Sequence, residues 1–205
     1  MRSLLGSRII LATGNDGKIR EYRQLLTHHD IAMKTTGELG ISDPPETETS
    51  FAGNARIKAV NAMRASNMIA LAEDSGLEVE ALQDAPGVAT ASWATDSSGR
   101  NYQKALNRVW QELADSDSNA PYRARFRAVI CVTWPDGGEE LFAGRVNGII
   151  VWPPRGAGGF GYDPIFVPDG SDRTFAEMTA DEKSSYSHRA KAVNHLVAQC
   201  LQDHE

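Results

Sequence analysis

Thr13-Gly14-Asn15-Asp16-Gly17-Lys18 follows the short run Arg8–Ala12 and precedes Ile19, Tyr22, Leu25 and Leu26, which recur at helical spacing. A strand, a tight turn and a helix are expected there. Such a turn presents backbone N–H groups at a helix N-terminus, where the dipole favours an anion, and Lys18 adds a full positive charge. Lysine in a first turn is unfavourable for the helix itself, so a phosphate would account for it, although a plain tight turn accounts equally for the two glycines. A second cluster, Glu73-Asp74-Ser75-Gly76, puts adjacent carboxylates after a short apolar strand, Ile69–Ala72. Carboxylates at strand ends suit Mg²⁺, which takes oxygen ligands and brings phosphates with it; a polar turn is the alternative. Glu46, in the acidic, Gly- and Pro-containing stretch Gly37–Thr49, is either a further ligand or a solvated charge.

The third cluster is Phe160-Gly161-Tyr162-Asp163 with Lys183 and Ser187-His188-Arg189. An aromatic flanked by glycines offers a face for base stacking, worth roughly 1–3 kcal/mol per base. Lys and Arg supply donors and no acceptors, which suits keto oxygens or phosphate. The plain reading is a loop packed under Phe160 and a surface helix start, with His188 a surface or capping residue. Two formal matches fail on context. Gly156-Ala157-Gly158-Gly159-Phe160-Gly161 fits a dinucleotide fingerprint, but Tyr162-Asp163-Pro164 follows where a helix is required. Gly17-Lys18 lacks the first glycine and the hydroxyl residue of a phosphate-binding loop, Ala12 and Ile19 standing there instead.

The elements that must position these groups read as follows. Phe51–Met63 and Tyr102–Leu113 are expected helices, and Asp84–Arg100 is irregular. Arg123–Trp134 alternates Ala124, Phe126, Ala128, Ile130, Val132 and Trp134 against Arg123, Arg125 and Arg127, a clear strand. Asp136-Gly137-Gly138 turns it into Glu139–Val146, and Gly148–Trp152 is a further strand. Thr179 and Glu182 have capping-box spacing, and Ser187 is placed to cap a final helix with the stripe Val193, Leu196, Val197, Cys200 and Leu201. The expectation is one α/β domain over residues 1–205, with a mixed, twisted sheet flanked by helices and room to open into two lobes around a groove.

Composition narrows the function classes. In 205 residues, 41% are hydrophobic and 23% charged, and acidic side chains exceed basic ones by 27 − 21 = 6. That sign argues against a general nucleic-acid or anionic-membrane binder. Cys131 and Cys200 lack metal-type spacing and read as buried reduced thiols. The N-terminal apolar run breaks too early for a signal peptide, and no stretch approaches the about 18 apolar residues of a membrane span. A cytoplasmic protein is expected.

Further blocks complete a recognisable set: Glu46-Thr47 with Phe51 and Asn54-Ala55, Lys58-Ala59, Ala81-Leu82, Pro86-Gly87-Val88, Gly158 to Phe166, Phe175-Ala176-Glu177-Met178 and Glu182-Lys183. Together with Leu11–Lys18, Ala72–Leu77 and Ser187–Arg189, the chain resembles the Ham1-like inosine triphosphate pyrophosphatase family nearly end to end. The resemblance implies a two-lobed α/β homodimer with the nucleotide in the groove between lobes. It implies hydrolysis of ITP, dITP and XTP between the α- and β-phosphates, with Mg²⁺ as cofactor. Carried across, Asp74 is the proton acceptor and a metal ligand and Glu46 a second ligand. Thr13, Gly14, Asn15, Asp16, Gly17, Lys18 and Ser75 contact the substrate, chiefly its phosphates. Phe160, Gly161, Tyr162, Asp163, Lys183, His188 and Arg189 form the base pocket and its surroundings.

The chain departs from the family pattern in three places. The usual E-N-A reads Gly53-Asn54-Ala55, the usual D-D-S-G reads Glu73-Asp74-Ser75-Gly76, and Y-S-A-R-Y reads Ala89-Thr90-Ala91-Ser92-Trp93. The last change removes an arginine, so that loop is given no catalytic role. Two rival classes are a nucleotide-binding sensor without chemistry and a single-stranded RNA binder using Phe126, Trp134 and the neighbouring arginines. The acidic balance weighs against the second, and whether pyrophosphate is released is the test that separates the first from an enzyme.

Overall fold

The structure, a computed structural model, describes residues 2–97 and 99–201. The chain begins with β1 (Ser7–Ala12), α1 (Asp16–Leu25), β2 (Ile31–Thr35), α2 (Phe51–Ser66) and β3 (Ile69–Val79). The two-residue strands β4 (Thr95–Asp96) and β5 (Gly99–Arg100) lead to α3 (Tyr102–Ala114), β6 (Tyr122–Thr133) and β7 (Glu139–Ile150). The last elements are β8 (Phe166–Pro168), α4 (Ala180–Tyr186) and α5 (His188–Cys200). Six strands form one sheet in the order β2-β1-β3-β6-β7-β8; β1 runs parallel to β2 and β3, and β7 runs antiparallel to β8. This is the mixed α/β sheet expected. Among the described residues no helix is long and apolar enough to cross a membrane.

Contacts divide the chain into two compact units. The first comprises the residues up to Asp74, Ala128–Gly144 and the chain from Arg189 onward. Its β1 and β3 are in register, Ile9 opposite Ile69 and Leu11 opposite Leu71, so side chains alternate in phase between the two faces. On one face Ile9, Leu11 and Leu71 pack with Tyr22 and Leu26 and with Ala192, Val193 and Leu196 of α5. On the other, Ile10, Ala12, Ala70 and Ala72 meet Ala55, Ala59 and Ala62, the small-residue stripe of α2. Continued by two residues, the same alternation sends Glu73 toward α1 and α5 and Asp74 toward α2. Cys131 and Cys200 are free and buried, and burial pushes both thiols up to about 12.

The second unit comprises Ser75–Arg127 and Arg145–His188. Leu106, Val109 and Leu113 of α3 pack with Leu77, Val79, Phe126, Val146, Phe166 and Phe175, and the partly buried Trp110 packs against them. The capping box of Thr179 with Glu182 forms as its spacing implied.

Several elements differ from expectation, among them β4, β5 and β8, for which no strand is read from the sequence. β3 does not end at Ala72 but carries Glu73-Asp74-Ser75-Gly76 inside the strand to Val79. Glu139–Val146 and Gly148–Trp152 join as the one strand β7, ending at Ile150. Gly148 is there for clearance: a Cβ would lie 2.2 Å from the Val167 carbonyl oxygen of the paired β8. β2 was not anticipated; it is a five-residue edge strand with a half-buried pattern.

Candidate active site

In the first unit, Thr13 follows β1 and is 8% exposed, and Asn15 caps α1, its side chain accepting from the Lys18 amide at 3.1 Å. The Asn15 amide donates to Thr13 Oγ1 at 3.2 Å, and the Gly14 amide donates to Asp43 Oδ2 at 3.2 Å. Gly17 is buried, whereas Gly14 and Asp16 are exposed. Lys18, one turn in, points its ammonium at Glu73, 3.2 Å from Oε1.

Glu73 is enclosed. Arg189 grips it with two charge-assisted bonds, Nε to Oε2 at 2.6 Å and Nη2 to Oε1 at 2.7 Å, and Tyr22 donates to Oε2 at 2.9 Å. Arg189 also donates to Glu21. Burial holds the Lys18 ammonium below the usual lysine range against the pull of Glu73, with Lys58 and Arg189 adding repulsion.

Asp74, the next residue, has other partners. Asn54 Nδ2 donates to Oδ2 at 3.2 Å, and the Lys58 ammonium lies 3.3 Å from Oδ1. The same ammonium is 2.7 Å from Oε1 of Glu46, whose side chain is 38% exposed. Asn54 also accepts from the Glu48 amide at 3.0 Å, tying the loop that carries Glu46 to α2. Burial raises the Asp74 carboxyl above the usual aspartate value; Lys58 and Lys18 oppose this, and Glu46 reinforces it. Burial likewise works against the Lys58 ammonium, but Asp74 and Glu46 outweigh it and leave its pKa raised. Among the described residues, no three His, Cys, Asp or Glu side chains gather as a metal-ligating group.

The second unit holds the aromatic cluster. The Lys183 ammonium is 2.6 Å from Asp163 Oδ2 and 4.7 Å from the centroid of the half-buried Phe160 ring. The Phe160 amide also donates to Asp163 Oδ2, at 2.8 Å. Gly159 has a φ of +67°, and a Cβ there would lie 2.1 Å from that same oxygen, so this turn requires glycine. The His188 ring stacks on Phe126 at 4.9 Å between centroids. Ser75 is half-buried on β3.

The profile of the Ham1 family matches residues 9–199. The chain belongs to the Ham1 family. A dITP/XTP pyrophosphatase of Agrobacterium fabrum is 46% identical over 98% of this chain and all of its own length. Another, from Ruegeria pomeroyi, is 45% identical over 98% of both chains. Among solved structures, a HAM1 protein from Coxiella burnetii superposes with a TM-score of 0.85 at 34% identity, covering 94% of this chain and 97% of its own. A nucleoside-triphosphatase / dITP/XTP pyrophosphatase from Mycobacterium abscessus gives 0.73 at 34% identity, over 93% and 98%.

Two residues that the resemblance placed in the base pocket and its surroundings are deeply buried. Arg189, 1% exposed, donates to Glu73 and Glu21. Tyr162 is a core residue, 1% exposed, donating to the Thr90 carbonyl and packed edge-on against Tyr102. Gly161, φ +67°, has the Tyr102 ring 3.5 Å from where its Cβ would be. Glu73 has both oxygens bonded to Arg189. Lys58, Asn54, Tyr22 and Glu21 carried no assigned role from sequence. A signal was present: Lys18 with Tyr22 and Asn54 with Lys58 are both i, i+4 pairs, which share a helix face.

Proposed function

We propose that this Ham1-family chain hydrolyses dITP, ITP and XTP between the α- and β-phosphates, giving monophosphate and pyrophosphate and clearing deaminated purines from the nucleotide pool. The observation that carries this is the setting of Asp74. It is a buried carboxylate with a raised pKa, beside a lysine and a second carboxylate, in a chain 46% identical to a dITP/XTP pyrophosphatase. Asp74 accepts the proton of the attacking water, a role that favours a carboxylate lifted toward neutral pH. The Thr13–Lys18 turn and Ser75 bind phosphate oxygens, the turn through amides at the start of α1 and the Lys18 ammonium.

Glu46 and Asp74 would hold Mg²⁺. The donor set fits: both are carboxylates, both already face one cation, and Mg²⁺ is commonly held by one or two carboxylates together with substrate phosphates. Bound there, it would offset phosphate charge and polarise the phosphoryl group. Phe160 stacks on the base and Lys183 donates to its 6-keto oxygen, with Asp163 and His188 holding the surroundings. Adenine presents a 6-amino donor to a donor, a mismatch of about 1–3 kcal/mol. The protein works as a single-domain homodimer in the cytoplasm.

The test is product identity. With Mg²⁺, dITP and XTP give monophosphate and pyrophosphate far faster than ATP or GTP do. Diphosphate with free phosphate would put the attack at the γ-phosphate, and tight binding without turnover would make the protein a sensor.

A further inference from the structure

The Lys58 ammonium touches both Glu46 and Asp74, at 2.7 and 3.3 Å, and its side chain is 8% exposed. Asn54, one turn earlier on α2, fixes both flanks of this arrangement, holding Asp74 by its amide nitrogen and the Glu48 amide by its oxygen. The ammonium therefore sits where two carboxylates converge, which is also where a divalent ion would find its protein ligands. Mg²⁺ binds oxygen at roughly 2.0–2.1 Å and tolerates no ammonium between its ligands.

We propose that Lys58 is a built-in counter-cation, occupying the seat between Glu46 and Asp74 until a nucleotide arrives. The inference rests on the metal reading given above. The triphosphate, a polyanion, draws the Lys58 ammonium away and leaves the two carboxylates open to the divalent ion. Metal and nucleotide affinities are then coupled, each favouring the other by the same factor. Lys58 also keeps the two carboxylates from capturing divalent ions while no substrate is present, and it spares them facing each other unscreened.

The experiment is Mn²⁺ binding, followed by electron paramagnetic resonance and calorimetry, to the full chain without nucleotide. Lys58→Met keeps an unbranched side chain of similar length and removes the charge. It should bind Mn²⁺ about tenfold or more tightly than wild type, a typical coupling factor, whereas Lys58→Arg should bind as weakly as wild type. In chelator the melting temperature of Lys58→Met should lie below that of wild type, and Mn²⁺ should restore it. Lys58→Gln serves in the same way if the methionine variant does not fold. Unchanged or weaker Mn²⁺ binding in Lys58→Met, with binding lost in Asp74→Asn, overturns the counter-cation and leaves the metal reading standing. Mn²⁺ binding that is indifferent to Asp74→Asn and Glu46→Gln overturns both.

Discussion

Glu73 lies among Arg189, Tyr22 and Lys18, while Asp74, one residue on, lies between Lys58 and Asn54. Each carboxylate is met by an i, i+4 pair from one helix, Lys18 and Tyr22 of α1 or Asn54 and Lys58 of α2. The faces differ because strand neighbours alternate. Glu73 continues the row of Leu71 toward α1 and α5, and Asp74 continues the row of Ala70 and Ala72 toward α2. The Glu73 side is closed: its side chain is 1% exposed and Arg189 adds a bidentate grip. The Asp74 side stays open through Glu46, 38% exposed. Saturation makes a carboxylate structural; incomplete satisfaction at a partly open position leaves it available for chemistry. Adjacent acids on one strand can thus be divided between holding the fold and doing the reaction.

The largest expected effect tests the open side. Asp74→Asn should lower kcat by about 10²–10⁴, the usual worth of a general base, while its melting temperature shifts far less than in Glu73→Gln, because relief of a buried charge is set against the loss of one partner of Lys58, which keeps Glu46. The relief follows from burial. A carboxyl whose folded pKa is raised above its unfolded value resists being charged in the fold, so its ionised form costs stability once pH exceeds the unfolded pKa, and the neutral amide removes that cost. The same direction places the acid limb of kcat/KM above the ordinary aspartate range, activity falling as pH drops through the pKa of Asp74. A variant that keeps kcat, or that loses activity by unfolding, would remove the distinction.

Glu73→Gln should do the reverse. It leaves Arg189 and Lys18 without the buried carboxylate they share, a loss of about 3–5 kcal/mol, or a fall of roughly 10 °C in melting temperature for a chain of this size. The kcat of the folded fraction should fall far less than in Asp74→Asn. Equal loss of kcat with an unchanged melting temperature would mean that both carboxylates share the chemistry. Glu73→Asp restores the residue usual in the Ham1 family and shortens the reach by one methylene. It weakens the Arg189 bonds and should cost about 1–2 kcal/mol.

The sequence made the local devices readable and the long-range ones only in part. The Thr179–Glu182 capping box, the helix α3 and the turn at Asp136-Gly137-Gly138 depend on residues a few positions apart, and all three form. The continuation of β3 through Glu73 and Asp74 does not. Two adjacent acids are costly inside a buried strand unless partnered, and the partner of Glu73 is 116 residues away. Without Arg189 in view, a turn was the economical expectation. The ion pairs of Arg189 are hidden for the same reason, since a donor-rich side chain at a helix start gives no sign of a carboxylate 116 residues away. Lys58 and Asn54 showed their shared helix face, but their target lay on a strand whose end had been placed too early.

The smallest expected effect lies at Gly53, third in α2, where the family usually carries glutamate. Ser50 caps this helix, accepting from the Gly53 amide at 3.1 Å, so a glutamate at 53 would complete a capping box. Here the space is taken: a Cβ on Gly53 would lie 2.6 Å from Cβ and 2.7 Å from Cγ of Glu48. Gly53→Ala therefore sets two effects against each other, a helix-propensity gain of about 0.5–1 kcal/mol and displacement of the Glu48 side chain. Glu48 is two residues from Glu46, and its amide is held by Asn54, so the displacement reaches the open side of Asp74 and not the closed side of Glu73. The melting temperature should shift by only a few degrees while the Mg²⁺ concentration for half-maximal activity rises, and Glu48→Gly in the same chain, which removes the Cβ and Cγ in the way, should bring it back. An unchanged Mg²⁺ requirement in Gly53→Ala would show that the loop carrying Glu46 is indifferent to α2, and that Asn54 holds Asp74 alone.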